Sequence, residues 1–200
     1  SKLKIFSLKY LNKKLNLKLV KNNYIVITFH PETNTKNYGV KMIKHCLKVL
    51  DFYKNIKIIF TLSNIDNGSC EINRIIKEWS DKNKNSTYFK FVGTQNYLSL
   101  VKFSCGVIGN SSSLANEVSI LKKYSLLIGN RQKGRILSKY NYFSNTNKSV
   151  KKNLDSMIFK NKKILNNLKI DKNKFPSKIF VKILEKIDLK IEKKFHDLDL

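Results

Sequence analysis

The sequence predicts an α/β fold built on a doubly wound parallel sheet, and three observations carry that expectation. Short β-branched, apolar runs alternate with amphipathic stretches of helical spacing along the first two thirds of the chain. The runs are short and apolar enough to read as buried strands. Polar residues follow one run after another, which is where an open parallel sheet gathers its ligands.

The first strand is "NYIVITF" (Asn23 to Phe29), ending at His30-Pro31. The stretch from Thr35 to Lys54 carries Val40, Ile43, Leu47 and Leu50 at helical spacing. "IKIIFTL" (Ile56 to Leu62) is a second strand, stopped by the turn residues of "SNIDNGS". From Cys70 to Lys82, Ile72, Ile75, Ile76 and Trp79 share one helix face. "TYFKFV" (Thr87 to Val92) is a third strand, and Thr94 to Phe103 a short helix that Thr94 is expected to cap. Next come a strand at Cys105 to Gly109, a helix at Ser112 to Leu121 and a strand at Tyr124 to Gly129. From Lys148 the chain turns helical, and after Pro176 "SKIFVKILEKI" reads as another helix before a charged tail. The domain reading is a linker or edge segment at 1–22, a ligand-binding sheet domain at 23–160, and C-terminal helices with a charged tail at 161–200.

Two hundred residues, 42% of them hydrophobic, suit one domain with a sizeable core. No apolar run approaches the length of a bilayer span, and the first residues lack a signal-peptide core and cleavage site. A cytoplasmic protein is the default expectation. The sequence starts at Ser1 instead of Met and reads as part of something longer.

The net charge of +26 invites a nucleic-acid reading. Arginine, the better reader of phosphate and base, occurs only at Arg74, Arg131 and Arg135. The lysines run from Lys2 to Lys194 among abundant Asn and Ile, a pattern of AT-rich coding on solvated surfaces. Specific nucleic-acid binding is therefore not expected; a weak, salt-sensitive attraction to polyanions is. Cys46, Cys70 and Cys105 show no CxxC spacing, Cys105 reads as a small buried hydrophobe, and three histidines suggest no metal cluster.

The polar residues at the strand ends are His30, then Asn64 and Asp66, then Ser111 to Ser113, then Arg131. Each alone has a plain reading: an exposed loop histidine, a turn, a helix cap. Together they suit a nucleoside diphosphate. Ser111, Ser112 and the amides opening the next helix would bond phosphate oxygens, with the helix dipole favouring the anion. Arg131 would add a fixed positive fork, Glu117 would accept from two ribose hydroxyls, and His30 would donate to a phosphate or protonate a departing one. No GxxxxGK[ST] or GxGxxG is present, which excludes the P-loop and common dinucleotide readings.

"TFHPET", "NIDNGS", "VIGNSSSLANE" and "GNRQKGR" stand in the order and at the separations of the hydrolysing UDP-N-acetylglucosamine 2-epimerases, which the chain resembles from about Asn23 to Phe159. The resemblance implies the C-terminal half of a GT-B-type pair of Rossmann-like domains with the active site in the cleft between them. It implies that His30, Asn64, Ser111, Ser112, Glu117 and Arg131 contact the UDP moiety and that Val92 lies beside the uracil. The implied reaction eliminates UDP across C1–C2 of the sugar and hydrates the glycal to free N-acetylmannosamine, opening sialic or nonulosonic acid synthesis. His30 is the residue here expected to touch the departing phosphate; the acid/base carboxylates belong to an N-terminal half. No cofactor or metal is implied, and the intact enzyme is expected to be a homo-oligomer.

The chain departs from that family at Leu114, where glycine is usual, and at Ser119 to Tyr124, "SILKKY", where a proline-containing segment is usual. A diacetamido-trideoxy sugar, or a GDP-linked one, is an alternative substrate. Two other classes compete: the nucleotide-sugar half of a GT-B glycosyltransferase, and a non-enzymatic basic module that binds polyanions.

Overall fold

The computed structural model describes residues 4–163 apart from 34, 36, 38, 65 and 136. The helix expected after Pro176 and the charged tail lie outside the described residues. Six strands form one sheet: β1 (Tyr24–Thr28), β2 (Lys57–Thr61), β3 (Ser86–Phe89), β4 (Val107–Gly109), β5 (Ser125–Ile128) and β6 (Asn141–Ser144). All pair in parallel, in the order β3-β2-β1-β4-β5-β6. The chain winds outward from β1 to β3, returns to β4 on the other side of β1, and winds outward again. The direction of winding reverses between β1 and β4, which is where such sheets open a crevice at their carboxyl ends.

Alternate strand residues feed two cores. Ile25, Ile27, Ile58, Phe60, Ile108 and Leu126 pack under α2 (Val40–Leu50), α3 (Ser69–Asp81) and α7 (Asn147–Lys163). Tyr24, Val26, Ile59, Val107 and Leu127 pack on the opposite face, under α1 (Leu8–Leu15), α4 (Thr94–Phe103) and the pair α5 (Ser112–Ala115) and α6 (Glu117–Ile120). This two-faced burial is what makes the strands β-branched and apolar throughout. Among the described residues, no helix is long and apolar enough to cross a membrane.

Several elements differ from the sequence expectations. The first long helix begins at Val40, not Thr35, after Gly39. Thr94 does not cap α4; it is the first helical residue, and Gly93 precedes it without a side-chain capping bond. The helix expected over 112–121 is broken at Asn116, whose φ of −99° and ψ of −88° separate α5 from α6. The edge strand β6 and the helix α1 were not anticipated. Within the 1–22 segment, α1 turns Leu11 fully into the core against the face that carries α4.

Two contacts at the carboxyl ends of the strands fix the mouth of the crevice. Gly109 ends β4 at a φ of +146°, and a Cβ there would stand 1.8 Å from the Thr28 carbonyl oxygen. Only glycine lets β4 close on β1 at that point. Asn110, 1% exposed, then bonds both sides of the His30 peptide: its Oδ1 accepts from the His30 N–H at 2.7 Å, and its Nδ2 donates to the His30 carbonyl at 2.8 Å.

Candidate functional site

A cavity of about 240 Å³ opens at the carboxyl ends of β1, β2 and β4, under the loop that leads from β3 into α4. Five of the residues named from the sequence, His30, Asn64, Val92, Ser111 and Glu117, line it. Ser112 and Arg131 do not. Arg131 is an exposed residue at the rim, its Nη1 3.4 Å from the Asn110 carbonyl. Leu114 is wholly buried in the core beneath α4 and does not line the cavity.

The helix dipole contributes less than the sequence suggests. α5 is a single turn of four residues, too short for a macrodipole of consequence, because the chain breaks at Asn116. The break is held from outside the helix. Asn141 Nδ2 donates to the Leu114 carbonyl at 2.8 Å, and the Ser119 hydroxyl reaches the same carbonyl at 3.2 Å. The same break starts α6 at Glu117, exposed and on the cavity wall. Charge and hydroxyls, not a helix terminus, are what this end of the sheet offers an anion.

Arg131 is placed by a residue the sequence reading passed over. Glu32, 3% exposed, accepts at Oε1 from the Asn130 N–H at 2.8 Å and the Arg131 N–H at 3.2 Å. Gly129 makes room: a Cβ there would lie 2.1 Å from that oxygen, and its φ is +83°. Gln132 completes the brace by donating to the Asn110 carbonyl at 2.8 Å. Glu32 sits inside the "HPET" motif, but only the fold shows its carboxylate meeting a turn 98 residues away.

Burial, and then the Arg131 guanidinium, push the His30 imidazole below its ordinary pKa, with Asp66 pulling weakly the other way. The ring is therefore neutral near pH 7 and can donate one N–H. An anion placed beside it would raise its pKa and draw in a proton.

Among apolar neighbours such as Leu62 and Leu98, the cavity also gathers hydroxyls, and of these Thr28, Thr61 and Tyr97 were not singled out from the sequence. The Thr28 and Thr61 Oγ1 atoms lie 2.6 Å apart, a pair set by the β1–β2 register. The Tyr97 hydroxyl, from α4, is 2.8 Å from Ser113 Oγ. Ser113 in turn bonds Ser111, Oγ to Oγ, at 3.2 Å. Two strands that both end in threonine, "IVIT" and "IIFT", were the only sequence signal for any of this.

This sheet order, with a crevice at its winding reversal, defines a Rossmann-like domain, and the solved structures it matches make it one half of the GT-B type. In line with this, the fold matches solved structures of that build. A UDP-GlcNAc 2-epimerase from Methanocaldococcus jannaschii superposes with a TM-score of 0.62 at 18% identity, over 88% of this chain and 49% of the other. An ADP-heptose heptosyltransferase II from E. coli gives 0.59 at 11% identity, over 77% and 51%. The profile of the UDP-N-acetylglucosamine 2-epimerase family matches residues 2–179, and the chain belongs to that family. Among named relatives, the GDP/UDP-N,N'-diacetylbacillosamine 2-epimerase (hydrolyzing) of Campylobacter jejuni subsp. jejuni serotype O:2 is 43% identical over 139 residues, 66% of this chain and 36% of that protein. The polysialic acid biosynthesis protein P7 of E. coli is 41% identical over 114 residues, 56% of this chain and 29% of that protein. The chain thus spans about a third of the length of these relatives.

Proposed function

We propose that the chain is the nucleotide-binding half of a hydrolysing 2-epimerase that acts on a UDP-linked 2-acetamido sugar. The observation that carries this reading is the convergence of His30, Asn64, Val92, Ser111 and Glu117, drawn from four separate stretches of the sequence, on one cavity of a chain in this family. The hydrolysing branch and the nonulosonic-acid context are supported by the names of the relatives at 43% and 41% identity.

In this reading Ser111, Ser112 and Arg131 bind the diphosphate, Glu117 the ribose hydroxyls, and Asn64 and Val92 the remainder of the nucleoside. His30 donates its N–H to the phosphate that departs as UDP leaves across C1–C2. Water then adds to the glycal, and the products are UDP and a free ManNAc-type sugar. The carboxylates that move the sugar protons come from a second, N-terminal half joined through the 1–22 segment, in a cytoplasmic homo-oligomer without a cofactor. UDP-GlcNAc is the first substrate to try; the Campylobacter relative's name adds a diacetamido sugar and a GDP carrier.

Isothermal titration with UDP, and with GDP as competitor, tests the binding half. Arg131→Ala and Glu117→Ala are each expected to weaken UDP binding about tenfold or more, as the loss of a charge-assisted hydrogen bond does. Unchanged affinity in both sinks the assignment. The heptosyltransferase likeness keeps a second reading in view, and product analysis with UDP-GlcNAc separates them: free ManNAc plus UDP, or transfer to an acceptor. A polyanion-binding module would show a steep salt slope and no thermal shift with UDP.

A further inference from the structure

The hydroxyls on the cavity floor form a chain with a fixed direction. Ser111 Oγ accepts twice, from the Ser113 N–H at 3.3 Å and from the Ser113 hydroxyl at 3.2 Å. Ser113 has then spent its only proton, so in the 2.8 Å contact with Tyr97 the phenol must donate. The order is Tyr97 to Ser113 to Ser111, and all three residues line the cavity.

Ser111 stands at the end of this chain with both acceptor positions filled and its own proton unspent. We propose that Tyr97 is a positioning residue: through Ser113 it turns the Ser111 hydroxyl into an obligate donor aimed at an anion in the cavity. The inference rests on the diphosphate reading and adds to it the residue that fixes the proton's direction. Hydrogen bonds in such a row polarise one another, which strengthens the terminal donor. Burial holds the phenol above its ordinary pKa, so the ring keeps the proton the chain needs. The arrangement also supplies what the one-turn α5 lacks as a source of anion affinity.

The test is titration of the full chain with UDP and, separately, with uridine. Tyr97→Phe removes one oxygen and keeps the ring; without its donation Ser113 can accept from Ser111 and turn that proton inward. UDP affinity is expected to fall about tenfold, the scale of one lost polar contact, while uridine affinity and Tm stay within error. Ser113→Ala, by contrast, leaves the Ser111 proton no inward acceptor, so Tyr97→Phe added to Ser113→Ala should bring no further loss of UDP affinity. In a Ser111→Ala background neither substitution should lower UDP affinity further, because the group they act through is gone. Unchanged UDP affinity in Tyr97→Phe overturns the proposal. So does an equal loss for uridine, or a full additional loss in the Ser111→Ala background. If the unsubstituted chain binds no UDP, the diphosphate reading itself has failed, and the relay's anion with it.

Discussion

The two ends of the sheet both bury polar side chains, but they spend them differently. At the amino ends of β1, β4 and β5, partners are met inside the fold. The Tyr24 hydroxyl donates to the Leu100 carbonyl at 2.6 Å. Asn161 donates to the carbonyls of Cys105 and Tyr124 and accepts from the Tyr124 N–H, all at 2.9–3.0 Å. Lys123, 4% exposed, is answered by the Ser104 carbonyl at 2.7 Å and by Asn22 at 3.5 Å. At the carboxyl ends the backbone is braced just as firmly, by Asn110 and Glu32, yet the Ser111 proton and the His30 ring face an open cavity. Buried polarity alone therefore does not mark a site. What marks one is a rigid frame that leaves donors over.

Three changes break or sharpen this contrast. The largest effect is expected from Gly109→Ala. A Cβ 1.8 Å from the Thr28 carbonyl forces β4 off β1, and the cost should exceed about 4 kcal/mol, so that urea unfolding finds little native protein. A near-normal unfolding midpoint would show that the carboxyl-end frame is looser than its contacts imply.

Lys123→Met tests the other end. Burial above all brings the Lys123 pKa down from 10.5 to about 8, opposed by an upward pull from Cys105 and aided by the nearby Lys102 and Lys21. Between those values the unfolded chain holds a proton that the folded chain has released, so stability rises with pH across that window and is lowest below it. The substitution should stabilise the fold at pH 7 by on the order of 1–2 kcal/mol, part of the charge-burial cost being offset by the unanswered Ser104 carbonyl. That advantage should shrink as denaturation is repeated from pH 8 towards 10. A constant difference would mean that the ammonium is not held in a desolvated place.

The smallest expected effect is confined to the cavity. His30 starts below its ordinary pKa, and a bound diphosphate raises it, so binding takes up a proton and UDP affinity grows as pH falls between the free and bound values. His30→Asn should remove that part of the slope, leaving only the titration of the nucleotide itself, and calorimetry in two buffers of different ionisation heat measures the proton count. An identical slope in both proteins would take the imidazole out of contact with the anion.

The sequence made the inner strands readable because burial on both faces demands unbroken apolar runs, as in "YIVIT" and "VIG". It hid β6, whose "NYFS" lies at the sheet edge with one exposed and two half-buried residues, and α1, where lysines interrupt the apolar face. The break at Asn116 was unreadable for another reason: the residue that holds it, Asn141, is 27 positions from the carbonyl it binds. The motif residues on the cavity wall were legible because each follows a recognisable strand. Tyr97, Thr28 and Thr61 were not, since an aromatic on a helix and a threonine in a strand look like core until the fold brings them to one cavity.

The position of β1 also sets the order of events when the chain folds. It occupies the middle of the sheet, yet its second neighbour is supplied late: His30 and the Asn110 that clamps it are 80 residues apart. Closing so long a loop is entropically costly and slow compared with the local β1–α2–β2 pairing. A ribosome-bound chain that stops short of Gly109 already holds His30, Asn64, Val92 and Tyr97, but the edge of β1 that β4 will cover is still unpaired. The cavity wall at Ser111 thus forms only once β4 has closed on β1, and a ligand bound there would select chains that have completed that step.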